Sequence, residues 1–389
     1  MRSYKVTLGL AAMSLLGGAL SACSSTPTLP DMATVTDLRR QTDFATATPK
    51  GVYTMSNDVA DNQIFVYARA ADGTLTALSS FSTAGKGTGA SLGSQNSLIF
   101  DSTINMFFAV NAGDNSISML SLKSDGTLTL LYKILSGGVK PVSITETGGI
   151  VYVVNAGDNF MPANIAGFQV AGSTLTAIPS SIKPLSSSNP GAGPAQIQFV
   201  PGGATLVATE KTTNKIDTFT VAAGVASNPL AQNSLGVTPY GFAFSATGKL
   251  IVTEAAAGAA TKGTASSYVI SAAGTLTTVS NQVASNQGAP CWVVVSGANA
   301  FVSNTQSNNI TAYSIGPDGM LSLLANGQSG MAGMGPTDLA ITEANDYLYV
   351  LNGGSDSLSI FAVSAAGTLT KKPQDFPGLP ANAVGLVAR

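Results

Sequence analysis

The sequence repeats itself seven times, and this constrains the fold more than any local pattern does. One motif is a short apolar run, then Asn, then a polar turn, then Ile or Leu and an aromatic residue. It occurs as Phe107-Phe108-Ala109-Val110-Asn111, Val151-Tyr152-Val153-Val154-Asn155, Ala300-Phe301-Val302-Ser303-Asn304 and Leu348-Tyr349-Val350-Leu351-Asn352. Val52-Tyr53-Thr54-Met55-Ser56-Asn57 is a looser copy. Two further copies end in glutamate, Leu206-Val207-Ala208-Thr209-Glu210 and Leu250-Ile251-Val252-Thr253-Glu254. The marks at 57, 111, 155, 210, 254, 304 and 352 stand about 49 residues apart on average.

Two more motifs share this period. Gly-Thr-Leu recurs at Gly73, Gly126, Gly274 and Gly367, with variants at Ser173 and Gly319 and a weak counterpart near Gly224. Asp-Gly or Ala-Gly between two strand-like runs is hairpin chemistry, because glycine supplies the positive φ of the turn. A proline leads an alternating run at Pro141, Pro194, Pro239, Pro290, Pro336 and Pro380, with a looser copy over 94–100. Each unit thus holds four strand-like runs, and a period of 40 to 50 residues with four strands is a propeller signature. The expectation is an all-β, seven-bladed β-propeller of four-stranded blades over 51–389. The repeat starts at a second strand near Gly51 and ends with a spare first strand from Pro380 to Ala388. That C-terminal strand should complete the first blade and close the ring.

Composition removes several kinds of chemistry. The 389 residues include no histidine, which excludes Ser–His–Asp and Cys–His catalysis and every His-ligated metal site. Charged residues make up 10% of the chain, with 18 basic against 20 acidic, so there is no basic footprint for nucleic acid. No metal site and no cofactor are expected.

The first 22 residues read as a targeting signal. Arg2 and Lys5 precede an apolar stretch from Val6 to Leu20, too short for a membrane span and suited to a secretory h-region. Leu20-Ser21-Ala22-Cys23 resembles the lipobox of bacterial lipoproteins, in which the cysteine is acylated and the chain is cut before it. The resemblance implies a membrane anchor at Cys23, held by two acyl chains. Ser24, where an Asp would retain the protein at the inner membrane, favours the outer membrane, facing the periplasm or the surface. Residues 23–50 are then a lipidated cysteine and a Ser/Thr/Ala/Pro-rich tether. With Cys23 acylated, Cys291 has no disulfide partner. It sits in the apolar run Pro290-Cys291-Trp292-Val293-Val294-Val295 and reads as a small buried hydrophobe.

The run Tyr152-Val153-Val154-Asn155, the recurrent Gly-Thr-Leu and the repeat length resemble the seven-bladed lactonase-type propellers with YVTN repeats, a family that includes 6-phosphogluconolactonase and 3-carboxymuconate cyclase-like proteins. The stretch from Val207 to Phe219, Tyr240-Gly241-Phe242-Ala243-Phe244 and Cys291-Trp292-Val293-Val294 add to that resemblance. It implies the propeller fold and lactone chemistry. Carboxymuconate-processing members rely on a histidine with arginines and a glutamate. This chain has no histidine, and only Arg69 and Arg389 lie within 51–389.

The Asn/Glu marks should fall at one rim, at the start of the loops between second and third strands. Asn111, Asn155, Asn304 and Asn352, with Asn57, read either as closers of Asx-type turns or as a ring of amides for a sugar or peptide. Glu210 and Glu254 are two of only four glutamates and hold equivalent places in neighbouring blades. They read either as turn residues or as a carboxylate pair that could do acid–base work or bind a cation. Glu146 and Glu343 match each other after first strands and should be solvated on the opposite face. The small-residue loops 82–93, 180–193, 255–264 and 328–335 belong to the same rim as the marks. Gly85-Lys86-Gly87-Thr88-Gly89 lacks P-loop spacing and a following helix, and reads as a loose loop.

Two functions stay open on this reading. One is a monomeric, lipid-anchored binding scaffold for a glycan, peptide or envelope protein. The other is a hydrolase of a neutral lactone or ester, with Glu210 and Glu254 as acid–base pair and Asn155 or Asn304 as orienting groups.

Overall fold

Each repeat folds as an antiparallel sheet, and in six of the seven the strands follow one another in chain order from the axis outwards. Seven such blades form the domain in the computed structural model, which describes residues 50–186 and 191–389. The expected signal peptide over 1–22, Cys23 and the tether up to residue 49 lie outside the described residues, as do 187–190 within the 180–193 loop. No helix among the described residues is long and apolar enough to cross a membrane.

Blade 2 shows the plan: Leu98–Asp101, Met106–Asn111, Ser116–Leu122 and Leu128–Leu135 run from inside to outside. The second strands are buried on both faces because each blade is covered by a neighbour on either side. That is why they read as unbroken apolar runs. The outer strand Leu128–Leu135 has one solvated face and alternates. Aromatic residues fill the seams between blades. Tyr53 of blade 1 meets Phe107 of blade 2 at 4.6 Å between ring centroids, and Tyr152 of blade 3 meets Phe199 of blade 4 at 5.9 Å. Gly126 adopts φ +85° in the outer hairpin of blade 2, and the Asp125 carboxylate accepts the Thr127 N–H beside it (2.9 Å). In blades 3, 4, 6 and 7 the outer strand is broken into two short pieces, as in Thr174–Ala177 with Lys183–Pro184. An outer strand has only one neighbour to hold it in register.

The innermost strands form a closed ring around the axis. Five of them start at a proline: Pro141–Thr147, Pro194–Phe199, Pro239–Phe244, Pro290–Ser296 and Pro336–Ile341. An axial strand has no inner neighbour, so its first residue needs no N–H. A register shift follows each of these prolines, and the bulge re-aims the side chains behind it.

The closing strand is Val384–Ala388, four residues shorter at its start than the sequence implies. Residues 380–383 instead form a turn, with the Ala383 N–H donating to the Pro380 carbonyl (3.1 Å). It is the innermost strand of blade 1 and pairs antiparallel with Gly51–Met55, Val52 opposite Ala388 and Tyr53 opposite Val387.

Candidate functional site

Six of the seven Asn/Glu marks end the second strands, on one rim, and their side chains turn into the fold; Asn57 lies two residues past the strand Gly51–Met55. Asn111, Asn155, Asn304, Asn352, Glu210 and Glu254 are all fully buried. Their partners explain the repeat, because several of these marks hold the connection arriving from the preceding blade. Asn111 accepts from Thr83 Oγ1 (2.7 Å) and Asn62 Nδ2 (3.0 Å) of blade 1 and donates to Ser116 and Ser118 of its own blade (3.1 and 2.9 Å). Asn352 accepts the Gly333 N–H (3.1 Å) and donates to Ser357 and Ser359. Asn155 donates to the Ser136 carbonyl (3.2 Å) and to Asn164 Oδ1 (2.8 Å). Asn304 donates to Asn309 Oδ1 and Thr311 Oγ1, both at 2.8 Å. Glycines in the connections leave room for these side chains: a Cβ on Gly85 would come within 2.1 Å of Asn111, and one on Gly333 within 2.7 Å of Asn352.

Glu210 and Glu254 occupy the same positions in blades 4 and 5. Glu210 accepts the N–H and Oγ–H of Ser186 (2.8 and 2.7 Å) and the hydroxyl of Thr213. The Ser186 N–H also reaches Asp217 Oδ2 at 2.9 Å. Burial, and then the neighbouring Glu210, push the Asp217 carboxyl up to about 8. Glu254 accepts the Gly236 N–H (3.0 Å) and the hydroxyl of Thr264. Burial raises its carboxyl above the usual range, against the pull of those hydrogen bonds. The two glutamates therefore do not meet in a shared cleft. Each serves its own blade joint.

The 82–93 loop is tied down rather than loose. The N–H groups of Gly87, Thr88 and Gly89 donate to the Asp58 carbonyl, Asn57 Oδ1 and the Asn57 carbonyl (2.6, 2.9 and 2.8 Å), which leaves no phosphate cradle.

At the marked rim the axial channel is closed. Gln95, just before the innermost strand of blade 2, reaches across to blade 6, where its Nε2 donates to the Val293 carbonyl (2.7 Å) and its Oε1 accepts the Val293 N–H (3.1 Å). The Trp292 indole donates to the Ser94 carbonyl (2.8 Å). Gln196 pairs in the same two-bond way with Phe242 of blade 5 (2.9 and 2.7 Å). Beside this plug, Lys211 donates to the Gly93 carbonyl and lies 4.8 Å from the Tyr240 ring centroid. Burial lowers its ammonium to about 8. Cys291 is buried, with its thiol pushed up to about 12 by burial, in keeping with an inert core residue.

Below the plug a chamber of about 340 Å³ runs down the axis between six of the seven innermost strands. Its inner end carries Gln95, Asn96 and Asp338, and its mouth carries Phe100, Glu146 and Ala388. Asp338, only 3% exposed, follows the bulge at Pro336. Its Oδ1 accepts the Leu339 N–H (2.8 Å), and burial drives its carboxyl well above the ordinary range. Glu146 is half-buried, not solvated as its place in the sequence suggests. Burial, and then its hydrogen bond to Asp101, push it up to about 8. Glu343 does lie exposed at that rim, 3.4 Å from Arg389 Nε. Among the described residues no three acidic or thiol groups gather as a metal site would require.

Sequence reasoning singled out the rim and missed Gln95, Gln196 and Asp338. The signal for two of them was present: each is the second residue after a strand-leading proline, where the bulge turns the chain.

The family model described as lactonase, 7-bladed beta-propeller, matches residues 44–295 and 274–384. No curated sequence matches significantly. Among solved structures, a Bacteroides fragilis protein provisionally assigned as a 6-phosphogluconolactonase superposes with a TM-score of 0.69 at 18% identity, over 88% of this chain and 98% of the other. The periplasmic gluconolactonase of Pseudomonas aeruginosa gives 0.67 at 18% identity, over 87% and 99%. A functionally unknown protein from Desulfotomaculum acetoxidans gives 0.67 at 13%, over 87% and 98%. At such identities the likeness is one of fold. With the family model spanning nearly the whole propeller, the chain belongs to the lactonase family of seven-bladed β-propellers.

Proposed function

We propose that this chain is a non-hydrolytic member of its family: a lipid-anchored, monomeric envelope protein that binds a ligand or partner. The observation that carries this reading is the burial of Glu210 and Glu254 with their oxygens committed to blade joints. A general acid or base must reach the proton it moves. The absence of histidine and the plug of Gln95 over the axis point the same way. The anchor rests on the Cys23 motif, and fatty-acid labelling of the protein in cells, lost in Cys23→Ser, is its test. The decisive experiment is a panel of neutral and acidic lactones, followed by proton release with the folded protein. The expected result is no turnover above the protein-free rate.

A second reading is favoured by family membership and by the fold shared with a protein named as a periplasmic gluconolactonase. It makes the chain a lactone hydrolase using Glu210 and Glu254. Turnover in the panel that disappears in a Glu210→Gln, Glu254→Gln double variant would establish it. Turnover unchanged in that variant would keep the hydrolase and remove the two glutamates from its mechanism.

A further inference from the structure

The axial chamber is the space that a ring of blades leaves at its centre, and its lining has the chemistry of a binding site. Its size, about 340 Å³, matches the lower range of small-molecule sites and admits a monosaccharide. Asp338 at its inner end is 97% removed from solvent, and among the described residues no lysine or arginine pairs with it. The backbone N–H groups of Leu339 and Leu386 donate to it. A buried acid without a cationic partner is costly to the fold, so its retention at the end of a cavity asks for a ligand. At the mouth, Glu146 accepts the Gly149 N–H through Oε1 (2.6 Å) and is hydrogen-bonded to Asp101.

The other polar groups on the wall are neutral. Gln198 Oε1 is occupied by Gln196 Nε2 (2.9 Å), which leaves the Gln198 amide N–H groups to point elsewhere. Thr145 Oγ1 accepts the Phe199 N–H (3.3 Å), and its own hydroxyl proton stays available. Acids at the two ends with neutral donors between them suit a ligand that carries several hydroxyls and one positive charge, which favours the ionised form of Asp338 so that its proton leaves to solvent as the ligand binds.

We propose that the chamber binds a small hydroxylated ammonium ion of amino-sugar size, with the ammonium against Asp338 and hydroxyls toward Thr145, Gln198 and Glu146. The proposal deepens the reading of the chain as a binding protein. The plug seals one end, so the ligand enters and leaves at the rim that carries Glu146.

Trp292 is the only tryptophan and is bonded to the plug directly above, so its fluorescence reports on the chamber. The experiment titrates the full chain with glucosamine, with glucose and gluconate as comparators, by tryptophan fluorescence and by calorimetry. Saturable binding of glucosamine at one site is expected, with neither comparator competing, and with affinity weaker by about tenfold or more in Asp338→Asn. No saturable binding, equal binding of glucose, or an affinity untouched in a folded Asp338→Asn variant would overturn the proposal. Should that variant fail to fold, Glu146→Gln takes its place. Weaker glucosamine binding is then expected, and an unchanged affinity overturns the proposal. Lactone turnover is measured separately, so a hydrolytic result would remove the binding-protein reading without deciding the chamber, and a silent titration would remove the chamber alone.

Discussion

The side-chain amide of Gln95 is bound to the backbone of Val293 through both its donor and its acceptor, 198 residues away in sequence and across the axis of the ring. Gly241 makes this possible. A Cβ at that position would lie 2.2 Å from Gln95 Oε1 and 2.7 Å from the Cys291 carbonyl. Gly241→Ala should therefore displace Gln95 or shift the innermost strand of blade 6, and cost about 1 to 3 kcal/mol. A lowered midpoint in urea, with a red-shifted emission of Trp292, is the expected outcome. An unchanged midpoint would show that the plug is not held as tightly as its two hydrogen bonds suggest.

The blade clasps make a second quantitative claim. Asn111 satisfies Asn62 and Thr83 of blade 1 and Ser116 and Ser118 of blade 2, all within the interior. Asn111→Ala leaves those groups with buried, unpaired hydrogen-bonding capacity and should destabilise the domain by about 2 to 3 kcal/mol. Denaturant unfolding measures it. An amide whose work was ligand recognition would be lost at little cost to stability.

Stability should fall as the pH rises from about 4 to about 8. Asp217 and Glu146 both have carboxyls pushed up to about 8 in the folded state, against ordinary values of 3.8 and 4.5. Between those limits the folded chain holds protons that the unfolded chain releases, so raising the pH favours unfolding. The carboxylates held below the ordinary range, such as Asp101 and Asp114, act below pH 4 and leave this window alone. Lys211, lowered to about 8 from 10.5, acts above it and in the opposite direction. Melting temperatures across pH 4 to 8 should slope downwards, and the Glu146→Gln and Asp217→Asn variants should each flatten the slope. A flat profile in the unaltered protein would mean that these acids ionise freely in the fold.

The repeat made the architecture legible because a propeller writes the same burial problem seven times. Val151–Val154 and Leu348–Leu351 are apolar throughout since both faces of a second strand are covered, and this pattern survives in the sequence alone. The marks were legible as positions and ambiguous as chemistry. Asn111 and Glu210 read identically whether they face solvent or the neighbouring blade, and only the arrival of Thr83 and Ser186 beside them decides it. The chamber was not legible. Gln95, Glu146 and Asp338 come from three different blades, and the bulge after Pro336 that puts Asp338 on the axis leaves no mark beyond the proline itself. Glu146 looked like a turn residue because nothing in its neighbourhood in sequence announces Asp101, 45 positions earlier.

Closure of the ring rests on very few residues. Val384–Ala388 is the innermost strand of blade 1 and, among the described residues, the last strand of the chain, and it holds the N-terminal strand through an antiparallel hydrogen-bonded ladder. Thr54 Oγ1 donates to the Gly385 carbonyl (2.7 Å), the Arg389 N–H donates to the Gly51 carbonyl (2.9 Å), and buried Arg69 donates through Nε to the Arg389 carbonyl (2.7 Å). Leu386 and Ala388 pack with Val52, Tyr349 and Ala340, so the same strand seals the seam to blade 7. Deleting residues 380–389 should open that seam, expose the innermost edge of Gly51–Met55 and lower the melting temperature of the whole domain rather than of blade 1 alone. Calorimetry distinguishes the two: a single transition at lower temperature supports cooperative closure, and a transition unchanged from the full chain would show that the other six blades stand without it.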